Sequence, residues 1–175
     1  MAISAETILS RPIPDVFAAI RRPVEVSDEP AATEAVRLAL VAHGLLKSDQ
    51  TLTPLPEGDD YRKHENSQGR YFLEQEIDSS HVVYGYGLEA RQETSYHPHP
   101  RGKSAERPDI YESIICVQGK IMVRIGNTER VLKEGEVAFI LPENWHSVRA
   151  VTDSVVAAFS QNGAKWPRDK RHGLE

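Results

Sequence analysis

Two histidines one residue apart, His97-Pro98-His99, precede a β-rich segment that later delivers Glu112 and His146. In an extended strand side chains alternate between faces, so residues i and i+2 point the same way. His97 and His99 therefore aim two imidazoles into one space. A carboxylate and a third imidazole from neighbouring strands would complete a metal site. Three imidazoles and one carboxylate suit Zn, Fe, Ni, Cu or Mn, whereas Ca and Mg prefer shells of oxygen.

The elements that must position these side chains lie on both sides of a change in character near residue 66. Before it the pattern is helical and loop-like. Residues 31–46 carry apolar side chains at Ala35, Val36, Leu38, Leu40, Val41 and Leu45, the spacing of an amphipathic helix. Gly44 stands near its end, where glycine accepts the left-handed cap conformation. A shorter helix is predicted over 14–21, with Pro14 at its first position. Residues 48–69 are polar and turn-rich and read as a connector. After residue 66, strands are predicted over 70–77, 81–88, 91–97, 110–117, 120–125, 130–132, 137–141, 146–151 and 154–159. Gly126-Asn127 marks a hairpin and Glu134-Gly135 the next turn. Short antiparallel strands without intervening helices imply a sandwich or barrel. The expected division is an extension over 1–65, a β-barrel over 66–162 and a solvated tail over 163–175.

Two stretches carry a family resemblance. His97-x-His99 followed by Glu112, with six residues between Glu112 and Gly119, looks like the first motif of the cupin superfamily. Gly135-Glu-Val-Ala-Phe-Ile-Leu-Pro-Glu-Asn-Trp-His146 looks like the second. The resemblance covers roughly residues 70–160. It implies a jelly-roll β-barrel, usually dimeric, with a divalent metal (Fe, Mn, Ni or Zn) held by His97, His99, Glu112 and His146. Twelve residues, Pro100 to Tyr111, separate His99 from Glu112 where the family leaves three or four. Residues 101–109 are thus expected to form an inserted loop, which brings Glu106 and Asp109 in as rival carboxylates. Glu112 is favoured because it opens the apolar strand YESIICVQG and keeps its register to Gly119. Arg91, Leu141, Glu143 and Ala150 stand where the family often has glycine, proline, glycine and asparagine.

Strand parity nominates further pocket residues. With His97 and His99 inward, Ser95, Glu93 and Arg91 should follow. Ile114 and Cys116 accompany Glu112, and Val148 accompanies His146. Tyr84 and Tyr86 share one face of another strand. Arg91 would grip a carboxylate or phosphate, and the tyrosines would donate a proton or a hydrogen bond, so these three are the catalytic nominees. Trp145, Ser147 and Arg149 should point away, and Cys116 should be a core residue. His43, His64, His81 and His172 are expected to be structural or exposed, with His81 the one best placed to line a pocket.

The net charge of −5 argues against a broad nucleic-acid surface, and no apolar run approaches the roughly 20 residues that cross a bilayer. The opening residues lack the pattern of a signal peptide, and the single cysteine suits a reducing compartment, so a cytoplasmic protein is expected. The resemblance implies a metal-dependent enzyme of oxygenase, decarboxylase, isomerase or lyase type acting on a small polar molecule. The alternative is a non-catalytic binding or sensing module. The apolar helix face at Val36, Leu40 and Leu45 must be covered by this barrel or a neighbour's.

Overall fold

The computed structural model of the chain describes residues 9–10, 23–63 and 66–172. The short helix expected over 14–21, and His64, lie outside the described residues. Nine strands and one α-helix are present among them. They are β1 (Leu9–Ser10), α1 (Glu29–Ala42), β2 (Arg70–Glu76), β3 (Val82–Leu88), β4 (Tyr111–Gln118), β5 (Lys120–Ile125), β6 (Thr128–Lys133), β7 (Glu136–Ile140), β8 (His146–Ala150) and β9 (Ser154–Gln161). A six-stranded sheet in the order β1-β7-β4-β9-β3-β2 faces a three-stranded sheet in the order β6-β5-β8. All the pairings are antiparallel, and the arrangement is a jelly roll.

Alternation along the strands splits the apolar residues into two layers. Tyr84, Tyr86, Ile114, Cys116, Val148, Val156 and Ala158 point between the sheets and form the barrel interior. Their sequence neighbours Val83, Ile115, Val117, Val155, Ala157 and Phe159 point outward, where Val36, Ala39 and Leu40 of α1 cover them. The helix therefore packs on its own barrel, and the large sheet is buried on both faces where α1 covers it, while Phe139 of β7 stays exposed. Each large side chain removed from water in this way contributes on the order of 1.5–3 kcal/mol. Helix α1 starts earlier than the apolar spacing predicts because Asp28 caps it, its carboxylate accepting from the Ala31 N–H at 3.1 Å. It ends at Ala42, and Gly44, at φ +70°, turns the chain beyond it.

Eight of the nine predicted strands form, and 91–97 does not. Only two isolated bridges remain there, Glu93 to Arg149 and His97 to His146. Arg91 sits at φ +76°, and Pro98 and Pro100 have no N–H to offer a ladder. Between the bridges the chain advances four residues on one side and three on the other. The register slips by one, so residues before the slip change face.

Residues 163–172 are not a solvated tail. Trp166, Arg171 and His172 are buried. The Trp166 indole donates to the Pro108 carbonyl at 2.8 Å. The Arg171 guanidinium donates to Glu74 at 2.9 Å, to Glu76, and to the carbonyls of Gly163 and Trp166 at 3.0 and 3.2 Å. Residues 163–172 are thereby held against β2 and the loop before β4, over the end of the barrel that carries the histidines. A basic sequence predicts exposure only when its charges have no buried partner; Glu74, itself buried within β2, supplies one.

Candidate metal centre

His97 and His146 face each other across their bridge, with paired backbone hydrogen bonds of 3.0 and 2.9 Å. His99 follows on the same run, its carbonyl accepting from the Glu143 N–H at 2.8 Å in the turn before β8. Glu112 enters from β4, between Ile140 of β7 and Ser160 of β9. All four side chains are buried, each at most 5% exposed. The four residues named from sequence are thus brought together at one end of the barrel. His99 Nε2 lies 3.0 Å and His146 Nε2 lies 3.1 Å from the same Glu112 oxygen, Oε2.

The opposite nitrogen of each imidazole is also occupied. His97 Nδ1 lies 3.1 Å from the Ser95 carbonyl, His99 Nδ1 2.8 Å from the Arg171 carbonyl, and His146 Nδ1 2.9 Å from the Asn144 carbonyl. A carbonyl only accepts, so each Nδ1 carries the proton. In a neutral ring Nε2 is then a lone pair. For His99 and His146 that lone pair faces a carboxylate oxygen, acceptor against acceptor. A proton on a ring or on the carboxyl, or a bound cation, would relieve this. His99 Nε2 is shielded from solvent and has no aligned hydrogen-bond partner, although Glu112 Oε2 is so near. Carbonyls that orient ligand imidazoles through Nδ1 are the usual support of metal sites. The donor set, nitrogen-rich with one carboxylate, fits a divalent transition ion.

The electrostatics agree. Burial by itself raises the Glu112 carboxyl, but the charge of His99 and the hydrogen bond from His146 outweigh it and hold the group well below its ordinary value. Burial lowers His99, yet the Glu112 charge wins and raises it. His97 has no carboxylate so near; burial first, then the neighbouring imidazoles His146, His172 and His99, hold it well below its ordinary value.

The rival carboxylates have other places. Asp109 accepts from the Gly102 N–H at 2.6 Å and closes the inserted loop, while Glu106 is exposed on that loop. Of the catalytic nominees, Tyr84 and Tyr86 are buried in the barrel interior. The Tyr84 ring lies 5.5 Å from that of His172, and its hydroxyl is buried without a hydrogen-bond partner. Burial, then the charges of Glu74 for Tyr84 and Glu112 for Tyr86, push both phenols well above their ordinary value, so they are neutral donors. The structure does not bring Arg91 into the site. It is exposed, at a turn beyond the register slip. Glu93 also misses: its carboxylate accepts from Ser147 Oγ at 2.6 Å, on the face of β8 opposite His146. His81 stacks on Phe159 and faces Asp78 at 2.8 Å, away from the cluster. His172 is the residue that sequence reasoning missed. It is buried beside His97, 75 positions earlier in the chain, and no local spacing announces it.

A cleft of about 290 Å³ opens beside His99. Its rim carries Arg101, Lys103 and Lys170 with Glu143, and its walls include Trp145 and Trp166. No helix among the described residues is long and apolar enough to cross a membrane.

The family described as the AraC-like ligand binding domain matches residues 83–164, a stretch that contains His97, His99, Glu112 and His146 and stops short of His172. No curated protein matches the chain. Among solved structures, similarity is found to the cupin domain of Schizosaccharomyces pombe Cnp3, with 16% identity and a TM-score of 0.46, over 55% of this chain and 66% of that one. The chain thus spans just under two thirds of that relative. A cupin-like protein of Thermotoga maritima has 23% identity and a TM-score of 0.46, over 57% and 74% of the two chains. An RmlC-like cupin of Desulfovibrio desulfuricans has 20% identity and a TM-score of 0.48, over 67% and 97%.

Proposed function

We propose that this chain, a jelly-roll barrel whose residues 83–164 match the AraC-like ligand binding domain, binds a divalent transition metal through His97, His99, Glu112 and His146, and acts there on a small anionic organic molecule. The observation that carries the proposal is the pair of imidazoles, His99 and His146, whose nitrogens face acceptors at both ends. A bound ion of this kind would supply Lewis-acid or redox chemistry to that molecule.

The chain's own residues supply the rest. The carbonyls of Ser95, Asn144 and Arg171 fix ring orientation, and Val148 and Ile114 contribute apolar surface to the interior. Arg101, Lys103 and Lys170 give the cleft a cationic rim that draws carboxylates or phosphates toward His99. Tyr84 and Tyr86 are neutral donors in the interior.

The test is metal analysis of the purified protein beside Glu112→Gln and Glu106→Gln, followed by turnover of small carboxylic acids with and without dioxygen. Near-stoichiometric metal in the native protein and in Glu106→Gln, with loss in Glu112→Gln, is expected. A native protein that retains and takes up no transition metal refutes the reading. A second reading, a non-catalytic sensing barrel, is favoured by the ligand-binding description of the matching family. Stabilisation by a carboxylate that is never turned over would select it.

A further inference from the structure

The metal reading leaves one buried imidazole without a role. His172 arrives on residues 163–172, beyond the stretch that matches the family. It is 7% exposed, and its Nδ1 lies 3.3 Å from His97 Nε2. Ring centroids of His172 and His97 are 4.9 Å apart, and those of His172 and His99 5.6 Å. One donor atom from each of His97, His99 and His172 falls within 4.8 Å of the others, a second triad that shares His99 with the triad of His99, Glu112 and His146. The placement is built rather than incidental. The preceding residue, Arg171, is locked to Glu74, and its carbonyl accepts from His99 Nδ1. One short segment therefore both orients one ligand and carries a further imidazole to the cluster.

We propose that His172 is a fifth donor to the metal, so that residues 163–172 form a strap whose docking is coupled to metal occupancy. The proposal rests on the metal reading above. Linkage makes the coupling reciprocal: an ion that bonds His172 stabilises the docked strap, and a docked strap tightens the ion. A fifth protein donor also leaves an ion fewer positions for substrate, so a chelating carboxylate would compete with the strap for the centre.

The experiment uses Co(II) as the probe, with affinity measured by chelator competition and coordination read from its visible spectrum. Variants are His172→Ala, His172→Gln and, as a control at an exposed position of the same strap, Lys165→Ala. Glutamine can still donate an N–H to His97 but is a poor transition-metal ligand. It thus separates a donor from a mere hydrogen-bond partner. Amide hydrogen exchange of residues 163–172 is followed in the native protein with and without Co(II), which needs no variant to fold. Expected are a loss of affinity of about tenfold or more in both His172 variants, a changed spectrum, native affinity in Lys165→Ala, and slower exchange of the strap when Co(II) is added. Unaltered affinity and spectrum in His172→Gln, or strap exchange indifferent to Co(II), overturns the fifth donor while leaving the four-residue centre standing. A native protein that binds no Co(II) overturns both.

Discussion

Replacing Arg171 by methionine tests how the strap is held. The aliphatic stem is preserved and only the guanidinium is lost. Four hydrogen-bonded groups lose a donor: Glu74, Glu76 and the carbonyls of Gly163 and Trp166. Glu76 costs little, because its side chain is 55% exposed and water replaces the arginine. Glu74 is different, at 4% exposed. It keeps Arg168 on Oε2 at 2.6 Å but is left with an unpaired Oε1. Breaking a buried pair costs about 3–5 kcal/mol when the surviving charge has no other partner. With Arg168 still in place, the low end applies, about 3 kcal/mol. For a chain of this size that lowers Tm by roughly 6–12 °C, at about 2–4 °C per kcal/mol. Thermal and urea unfolding measure it, together with hydrogen exchange over residues 163–172. Should the strap detach before the barrel melts, the loss appears as faster exchange there. A destabilisation below about 1 kcal/mol with unchanged exchange would refute the assigned role of Arg171.

Three further outcomes follow from the packing. Leu40→Ala leaves a cavity between α1 and the sheet and should cost about 2–5 kcal/mol by urea unfolding, with metal content per folded protein unchanged; a loss under 1 kcal/mol contradicts the helix docking. Gly119→Ala places a Cβ against the Asp153 carbonyl at φ +85°, so a loss of about 1–3 kcal/mol is expected, and a neutral result would mean the turn is shaped otherwise. Burial, with the charge of Glu134 adding to it, pushes the Cys116 thiol up to about 12. Folded protein at pH 8 should therefore resist a disulfide reagent that reacts at once after denaturation; rapid labelling of the native state would contradict this.

Local chemistry was legible wherever periodicity or a turn residue carries it. The strand alternation around Glu112 and His146, the hairpin at Gly126-Asn127 and the apolar face of α1 all follow from side-chain period and backbone preference, which need no partner to be read. Parity failed between Glu93 and His97, where a one-residue slip moved Arg91 and Glu93 off the expected face. Such a slip depends on the register of the opposing strand β8, and alternation within 91–97 does not record it.

His97, His99, Glu112 and His146 could be named from residue types, spacing and the resemblance they carry, and for Glu112 and His146 strand alternation fixes which way the side chain points. What tertiary structure alone decided was their closure: which carbonyl each Nδ1 meets, that Glu112 rather than Asp109 or Glu106 lies between two imidazoles, and that His172 joins them. The basic segment 163–172 reads as a solvated tail until Glu74, some hundred residues earlier, is placed beside Arg171. Burial of a charge is a property of the pair, and that pairing exists only once the barrel has closed.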